Sequence, residues 1–179
     1  AREAVAYATA ETLPVFPVRR AQMVLATTLI QAGQVEECRA LALASLHDGM
    51  DHDDELAIRY DELMLGRCAL ALGRPDTAAR WFRDVVSGAK ARGPIAYRDQ
   101  GSAWLALALA WQGRTAEATA VTDSLAPEYV ANSSVAFLAV QWVAAIQGDR
   151  AAIPAIVERA RAAAQRGHRV LASSLLHGA

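Results

Sequence analysis

The sequence predicts an all-α fold, an α-α superhelix of about four helix-turn-helix repeats of 35–40 residues with partial helices at both ends. The first observation behind this prediction is a regular series of glycines, each of which follows an apolar helical stretch. They stand 40, 40 and 35 residues apart, at Gly33, Gly73, Gly113 and Gly148. The second is composition: alanine fills 41 of the 179 positions, and all but one of the 18 basic residues are arginine. Both residue types have high helix propensity, and no alternating run with flanking turn residues predicts a strand.

Each repeat glycine is predicted to end one helix and to let the chain reverse into the next. A left-handed residue after the last helical turn permits this reversal, and glycine adopts it without steric cost. Small residues recur seven positions before the glycine in the first three repeats, and the four equivalents are Ala26, Gly66, Ala106 and Gln141. Five positions after it stand Cys38, Ala78, Ala118 and Ile153. Small facing residues let paired helices approach closely, so Gln141 and Ile153 predict a looser or differently angled fourth pair.

Periodicity, capping residues and helix breakers predict where the helices begin and end. An opening helix over about residues 2–13 is broken by the proline-containing segment 14–17. Four pairs follow, at about 18–32 with 35–47, 54–72 with 75–91, 95–112 with 115–126, and 133–147 with 150–166. A final half-helix starts near residue 168. Because the chain begins and ends inside amphipathic patterns, we expect residues 1–179 to form one helical repeat domain, a fragment of a longer multidomain protein.

Composition argues against several functional classes. The net charge of -1 lacks the basic excess that is typical of nucleic-acid-binding proteins. The longest apolar stretch, 135–146, is shorter than the roughly 20 residues that a membrane span needs. Cys38 and Cys68 are too few for a disulfide framework and are predicted to be reduced, buried small residues. We therefore expect a cytoplasmic segment that binds neither nucleic acid nor a membrane.

The repeat unit resembles the tetratricopeptide repeat. The shared features are a Leu-small pair in the first helix, the turn glycine, a small residue early in the second helix and a large apolar residue near its middle. LGRPDTAARWF, residues 72–82, shows most of them. The longer units of this chain resemble the C-terminal repeat region of large ATP-binding bacterial transcription regulators of the MalT and LuxR type. ERARAAAQRGHRVLASSLLHG, residues 158–178, looks especially like a pattern that recurs there.

This resemblance implies a particular parent protein. In regulators of the MalT and LuxR type, a nucleotide-binding switch domain precedes the helical repeats and a helix-turn-helix domain follows them. Neither domain is present in these 179 residues. The resemblance therefore implies that this chain supplies the repeat segment of such a regulator.

Motifs that carry catalytic or metal chemistry have simpler structural interpretations. GAKARG, residues 88–93, contains a lysine but lacks the spacing of a phosphate-binding loop, so we interpret it as a solvated turn. HDGMDHDDE, residues 47–55, contains two imidazoles and five carboxylates, a composition that could hold a divalent cation. The segment precedes a predicted helix, where acidic residues cap and complement the helix dipole. We expect no catalysis, metal or cofactor, and a helical hydrolase or metal enzyme stays an alternative that rests on this segment alone.

A binding surface is implied by the resemblance to tetratricopeptide stacks. In those stacks the first helices of the pairs line a concave face, and the residues on that face are not needed for packing between helices. Transferring this face by position from each glycine gives Arg20, Met23, Thr27, Gln31, Tyr60, Arg67, Gln100, Leu107, Trp111, Leu138 and Trp142. Aromatic rings provide contact area while polar groups fix orientation, a composition typical of a recognition groove. For Trp111 and Trp142, packing against the next helix pair is an open alternative.

Two functions from different classes follow from these observations. The first is a non-catalytic module of a LuxR/MalT-type transcription regulator that binds a protein or a small effector along the concave face. The second is a structural scaffold that mediates self-association of the parent protein, which would make it a homo-oligomer.

Overall fold

A computed structural model describes residues 2, 15–91 and 95–167. Within these ranges nine α-helices have described bounds and no strand occurs, which confirms the predicted all-α helical repeat class. We number the helices α1 to α9 in chain order: Val15–Gln31, Val35–Asp51, Glu55–Ala71, Pro75–Ala91, Ile95–Trp111, Thr115–Asp123, Pro127–Asn132, Ser134–Ile146 and Ala152–Gln165. The chain divides into two compact units, residues 1–98 and residues 99–179.

Most helix bounds agree with the sequence prediction to within a few residues. Helix α4 agrees at both ends, because Pro75 suits a first helical position and a glycine turn precedes it. The predicted break at 14–17 is wrong for its last three residues, which form the first turn of α1. Pro17 is tolerated there because the N–H groups of a first helical turn have no partner within the helix.

One of the described helices was not predicted from the sequence. The predicted helix 115–126 ends at Asp123 as α6, and the short helix α7 follows with Pro127 at its start. Of the predicted opening helix, Arg2 is helical and the rest lies outside the described residues. The predicted half-helix from residue 168 also lies outside them.

The four repeat glycines adopt the left-handed conformation that their spacing predicts, with φ between 68° and 95°. At Gly73 the N–H of Arg74 donates to the carbonyl oxygen of Ala69 over 2.9 Å, and the N–H of Gly73 donates to that of Leu70 over 2.8 Å. This is the hydrogen-bond pair of a Schellman cap. The same pair closes the turns at the other three glycines, so each turn follows one local rule.

In unit 1 the small residues of the first two repeats lie where helices meet. Ala26, Cys38 and Ala78 are almost fully buried, and the Sγ of Cys38 donates to the carbonyl oxygen of Ala26 over 3.3 Å. A Cβ added at Gly66 would lie 2.4 Å from the ring of buried Phe82. The predicted role of small residues in close helix pairing is confirmed here. Cys38 and Cys68 are buried and unbridged, as predicted.

In unit 2 the third repeat keeps the pattern and the fourth departs from it. Ala106 and Ala118 are fully buried. Ile153, aligned with Ala118 in sequence, is instead 39% exposed, and its neighbour Ala152 is fully buried. Helix α9 begins four residues after Gly148, whereas α2, α4 and α6 each begin two residues after their glycine. The buried position of this repeat lies one residue closer to its glycine than in the other three repeats.

Candidate functional site

A shallow, open depression on unit 1 brings together four of the predicted binding residues. It has a volume of about 350 Å³, and its lining combines one buried aromatic residue of α3 with one exposed face of α1. The lining residues are Arg20, Met23, Val24, Thr27, Thr28 and Tyr60. Val24 and Thr28 are additions to the sequence prediction. Their spacing of four residues from Arg20 and from each other could have placed them on this face.

Tyr60 forms the buried end of the depression and joins two helices. Its hydroxyl donates to the backbone carbonyl oxygen of Met23 on α1 and lies 2.8 Å from the hydroxyl of Thr27. Burial raises the pKa of Tyr60 to about 12 because it disfavours the phenolate. Tyr60 therefore contributes to the packing of α3 against α1 and also lines the depression.

The hydroxyl donors of the lining are already in use. Thr27 donates to the carbonyl oxygen of Met23 over 3.1 Å, and Thr28 donates to that of Val24 over 2.8 Å. The proton of the Tyr60 hydroxyl is engaged by Met23 as well. Each hydroxyl has a single proton to donate, so these groups offer a ligand no further donor.

Two adjacent arginines on α1 have opposite environments. Arg19 is buried, donates to the carbonyl oxygen of Ser45 over 3.3 Å, and forms ion pairs with Asp48 and Asp54. Arg20 is exposed at the depression, and none of the residues described in unit 1 forms an ion pair with it. Helix α1 contains no acidic residue. The depression therefore has a positive rim.

The other two predicted residues of unit 1 lie outside the lining of this depression. Gln31 is exposed at the last position of α1. Arg67 is half-buried and donates to the Sδ of Met64 over 3.4 Å. Burial lowers the pKa of Arg67, which lies near Tyr60 and the two cysteines.

The predicted residues of unit 2 differ widely in exposure. Leu107 and Leu138 are buried members of the hydrophobic core of that unit, so they are not available to a ligand. Trp142 is half-buried and packs against the same core, which favours the packing alternative for this residue. Trp111 is 49% exposed at the end of α5, and Gln100 is half-buried.

The acidic segment 47–55 contributes to capping and ion pairing. Asp54 precedes α3 and its Oδ1 accepts from the N–H of Ala57 over 3.1 Å. Asp48 pairs with Arg19, and the Nδ1 of His52 lies 2.8 Å from the carbonyl oxygen of Asp48. In the part of the chain that is described, no group of three or more His, Cys, Asp or Glu side chains could hold a metal ion.

Two buried carboxylates on α3 were not predicted from the sequence. Asp61 is 3% exposed and Glu62 is 8% exposed, and burial raises the pKa of each to about 7. Their signal in the sequence is weak, because the run around them is ordinary for an amphipathic helix. They are buried because α3 packs against helices on both sides, α2 and α4.

None of the helices in the described ranges is long and apolar enough to cross a bilayer. Comparison of the chain with protein-family models, with curated proteins and with solved structures found no match.

Proposed function

We propose that this chain is a non-catalytic binding module that takes up a partner protein or a small effector in the depression of unit 1. The observation that carries this proposal is the pairing of an exposed apolar side chain with an exposed arginine. Val24 is 54% exposed and Arg20 stands one helical turn before it on the same face. Apolar contact area beside one orienting charge is the usual composition of a recognition site.

The lining also favours a particular ligand chemistry. Its hydroxyl donors are bonded to backbone carbonyls, which leaves the guanidinium of Arg20 as the side-chain donor that a ligand can use. No lining residue is acidic. The ligand should therefore combine an anionic group, placed on Arg20, with an apolar group placed against Val24 and Met23.

The parent protein proposed here is a cytoplasmic transcription regulator of the LuxR/MalT type. The support is the series of glycine-centred helix pairs, together with the resemblance of residues 158–178. Residues 158–165 of that segment lie in α9 and Gly167 has a φ of 80°, while residues 168–178 lie outside the described part. In this role the module would sense an effector or partner and would not itself contact DNA.

Self-association of the parent protein is a second candidate function. Ile146 and Ile153 are exposed large apolar residues on the two sides of the Gly148 turn in unit 2. Protein contacts commonly cover exposed apolar side chains. Light scattering at several concentrations distinguishes this candidate, because a scaffold forms oligomers whose share rises with concentration.

Site-specific photo-crosslinking in living cells tests the binding proposal. A benzoylphenylalanine is placed at Val24, inside the depression, and at Ala40, an exposed position of α2 outside it. After irradiation the intact mass of the purified chain is measured. A discrete adduct at position 24 that is absent at position 40 supports the proposal, and its mass separates a protein partner from a small effector.

The same experiment can overturn the proposal. Equal labelling at positions 24 and 40, or no adduct at either position, contradicts a binding site in the depression. An adduct at position 24 with the mass of a second copy of the chain favours the self-association candidate instead.

A further inference from the structure

Asp61 is a buried carboxylate that charged groups approach from several helices. Its side chain is hydrogen-bonded to Ser45 of α2, and the charges of Arg19 on α1 and of Asp54 before α3 act on it. The charge of Asp61 also acts on Cys38 of α2 and on Tyr97 of α5. The Oδ2 of Asp61 is buried and has no hydrogen-bond partner among the described residues. Arg19 already pairs with Asp48 and Asp54, so its compensation of Asp61 is partial.

Glu62 is the next residue on α3 and belongs to a second polar cluster of unit 1. Its Oε2 accepts from Nη1 of Arg59 over 2.6 Å. Arg59 also pairs with Glu55 over 3.5 Å and donates to the carbonyl oxygen of Asp84 on α4 over 3.0 Å. The carboxylates of Glu55, Asp84 and Asp61 all disfavour a negative charge on Glu62. One arginine thus serves several acceptors.

In both environments burial disfavours the carboxylate, and the arginines that favour it, Arg19 and Arg59, are shared with other carboxylates. Ionisation of a buried carboxyl group without full compensation is costly, and the two adjacent groups would add mutual repulsion. A protonated carboxyl group also supplies an O–H donor, which suits a position beside other acceptors. In the unfolded chain water solvates both groups, so they ionise at their ordinary values of 3.8 and 4.5.

We propose that Asp61 and Glu62 form a proton-binding pair that tightens the packing of α3 in unit 1, so that proton release from the pair loosens this helix. The pair connects α3 to the helices on both of its sides. Asp61 interacts with α1 and α2, whereas Glu62 interacts through Arg59 with α4. Tyr60, the aromatic residue of the depression, directly precedes the pair on α3. The inference concerns the fold of unit 1 and holds whether or not the depression binds a ligand.

The direction of the effect follows from proton linkage. The pKa of each group is raised to about 7 in the folded chain, so the folded chain binds protons that the unfolded chain releases. The stabilisation from this pair is complete below about pH 4, declines as the pH rises, and is lost above about pH 7. Between these limits the equilibrium constant for opening α3 should rise by up to about tenfold per pH unit for each group.

Hydrogen exchange of the full chain between pH 5 and pH 8 tests this proposal. After correction for intrinsic exchange rates, peptides from α3 should show an opening constant that rises with pH. The double variant Asp61→Asn with Glu62→Gln should lose most of this rise. A matched control, Asp51→Asn with Asp76→Asn, replaces two exposed carboxylates of unit 1 and should leave it unchanged. A rise that persists in the Asp61/Glu62 variant overturns the proposal.

A second measurement covers the case in which the double variant does not fold. Carbon-detected NMR of the wild-type chain follows the carboxyl carbons of Asp61 and Glu62 directly, with each resonance assigned in a single variant. Titration midpoints near neutral pH support the proposal. Midpoints near the ordinary values of aspartate and glutamate overturn it.

Discussion

The hydroxyl of Tyr60 on α3 donates a hydrogen bond to the backbone carbonyl oxygen of Met23 on α1, 37 residues earlier in the chain. That carbonyl also accepts from the hydroxyl of Thr27 on the next turn of α1. A single aromatic residue therefore holds two helices together and lines the depression that we propose as a binding site. Stability and binding are consequently linked at this position.

Removal of the Tyr60 hydroxyl should destabilise unit 1 modestly. We expect Tyr60→Phe to lower the free energy of unfolding by about 1 kcal/mol, since it removes one hydrogen bond and keeps the ring. Tyr60→Ala should cost about 3 kcal/mol or more, because it also leaves a cavity. Urea unfolding measures both changes. Thr28→Val is the control, because the Thr28 hydroxyl bonds within its own helix, and an unchanged stability of Tyr60→Phe would contradict this role.

Tyr60 should be the last of the described tyrosines to ionise in the folded chain. Its pKa is raised to about 12 chiefly by burial, so the stabilisation that it contributes is complete below pH 10 and is lost as the pH rises towards 12. Near-ultraviolet absorbance during an alkaline titration follows phenolate formation. Tyr60→Phe should remove the component with the highest midpoint, and loss of a low-pH component instead would argue against burial of this hydroxyl.

Two glycines of one repeat should respond differently to alanine. At Gly66 an added Cβ would overlap the buried Phe82 ring, and we expect Gly66→Ala to cost about 2–3 kcal/mol of unfolding free energy. At Gly73 a Cβ would meet nothing within 4 Å, and only the φ of 68° opposes it. Gly73→Ala should therefore cost about 1 kcal/mol. Thermal or urea unfolding of both variants checks the order, and equal effects would contradict the proposed close contact at Gly66.

The local features of this fold could be predicted from the sequence. A glycine in a left-handed turn affects the backbone only within six residues of itself. The position of Gly73 therefore predicts the end of the helix before it and the start of the next helix at Pro75. Small residues at fixed distances from such glycines likewise indicated the helix contacts near Ala26 and Ala106. The equivalence failed at Ile153, in the repeat whose second helix, α9, starts later after its glycine than α2, α4 and α6 do.

The features that depend on neighbouring helices could not be predicted in the same way. Asp61 and Glu62 look like ordinary helix-surface acids, and only the packing of α3 between other helices buries them. Similarly, Leu107 shares the sequence position of a groove residue, but the core of unit 2 encloses it. Four of the six residues that line the depression were predicted, and the four-residue spacing places Val24 and Thr28 on the same face of α1 as Arg20. How far each of these side chains is exposed depends on what packs beside it.

The most direct test of the binding proposal combines the photo-crosslinker at Val24 with reversal of the charge at Arg20. If a ligand places an anionic group on Arg20 and an apolar group against Val24, the adduct at position 24 should disappear in Arg20→Glu. It should persist in Lys90→Glu, which reverses an exposed charge outside the depression. Circular dichroism of both variants confirms that they keep the helical fold. An adduct that survives Arg20→Glu undiminished would contradict the proposed role of this arginine, and no specific adduct in the wild-type sequence would contradict the site itself.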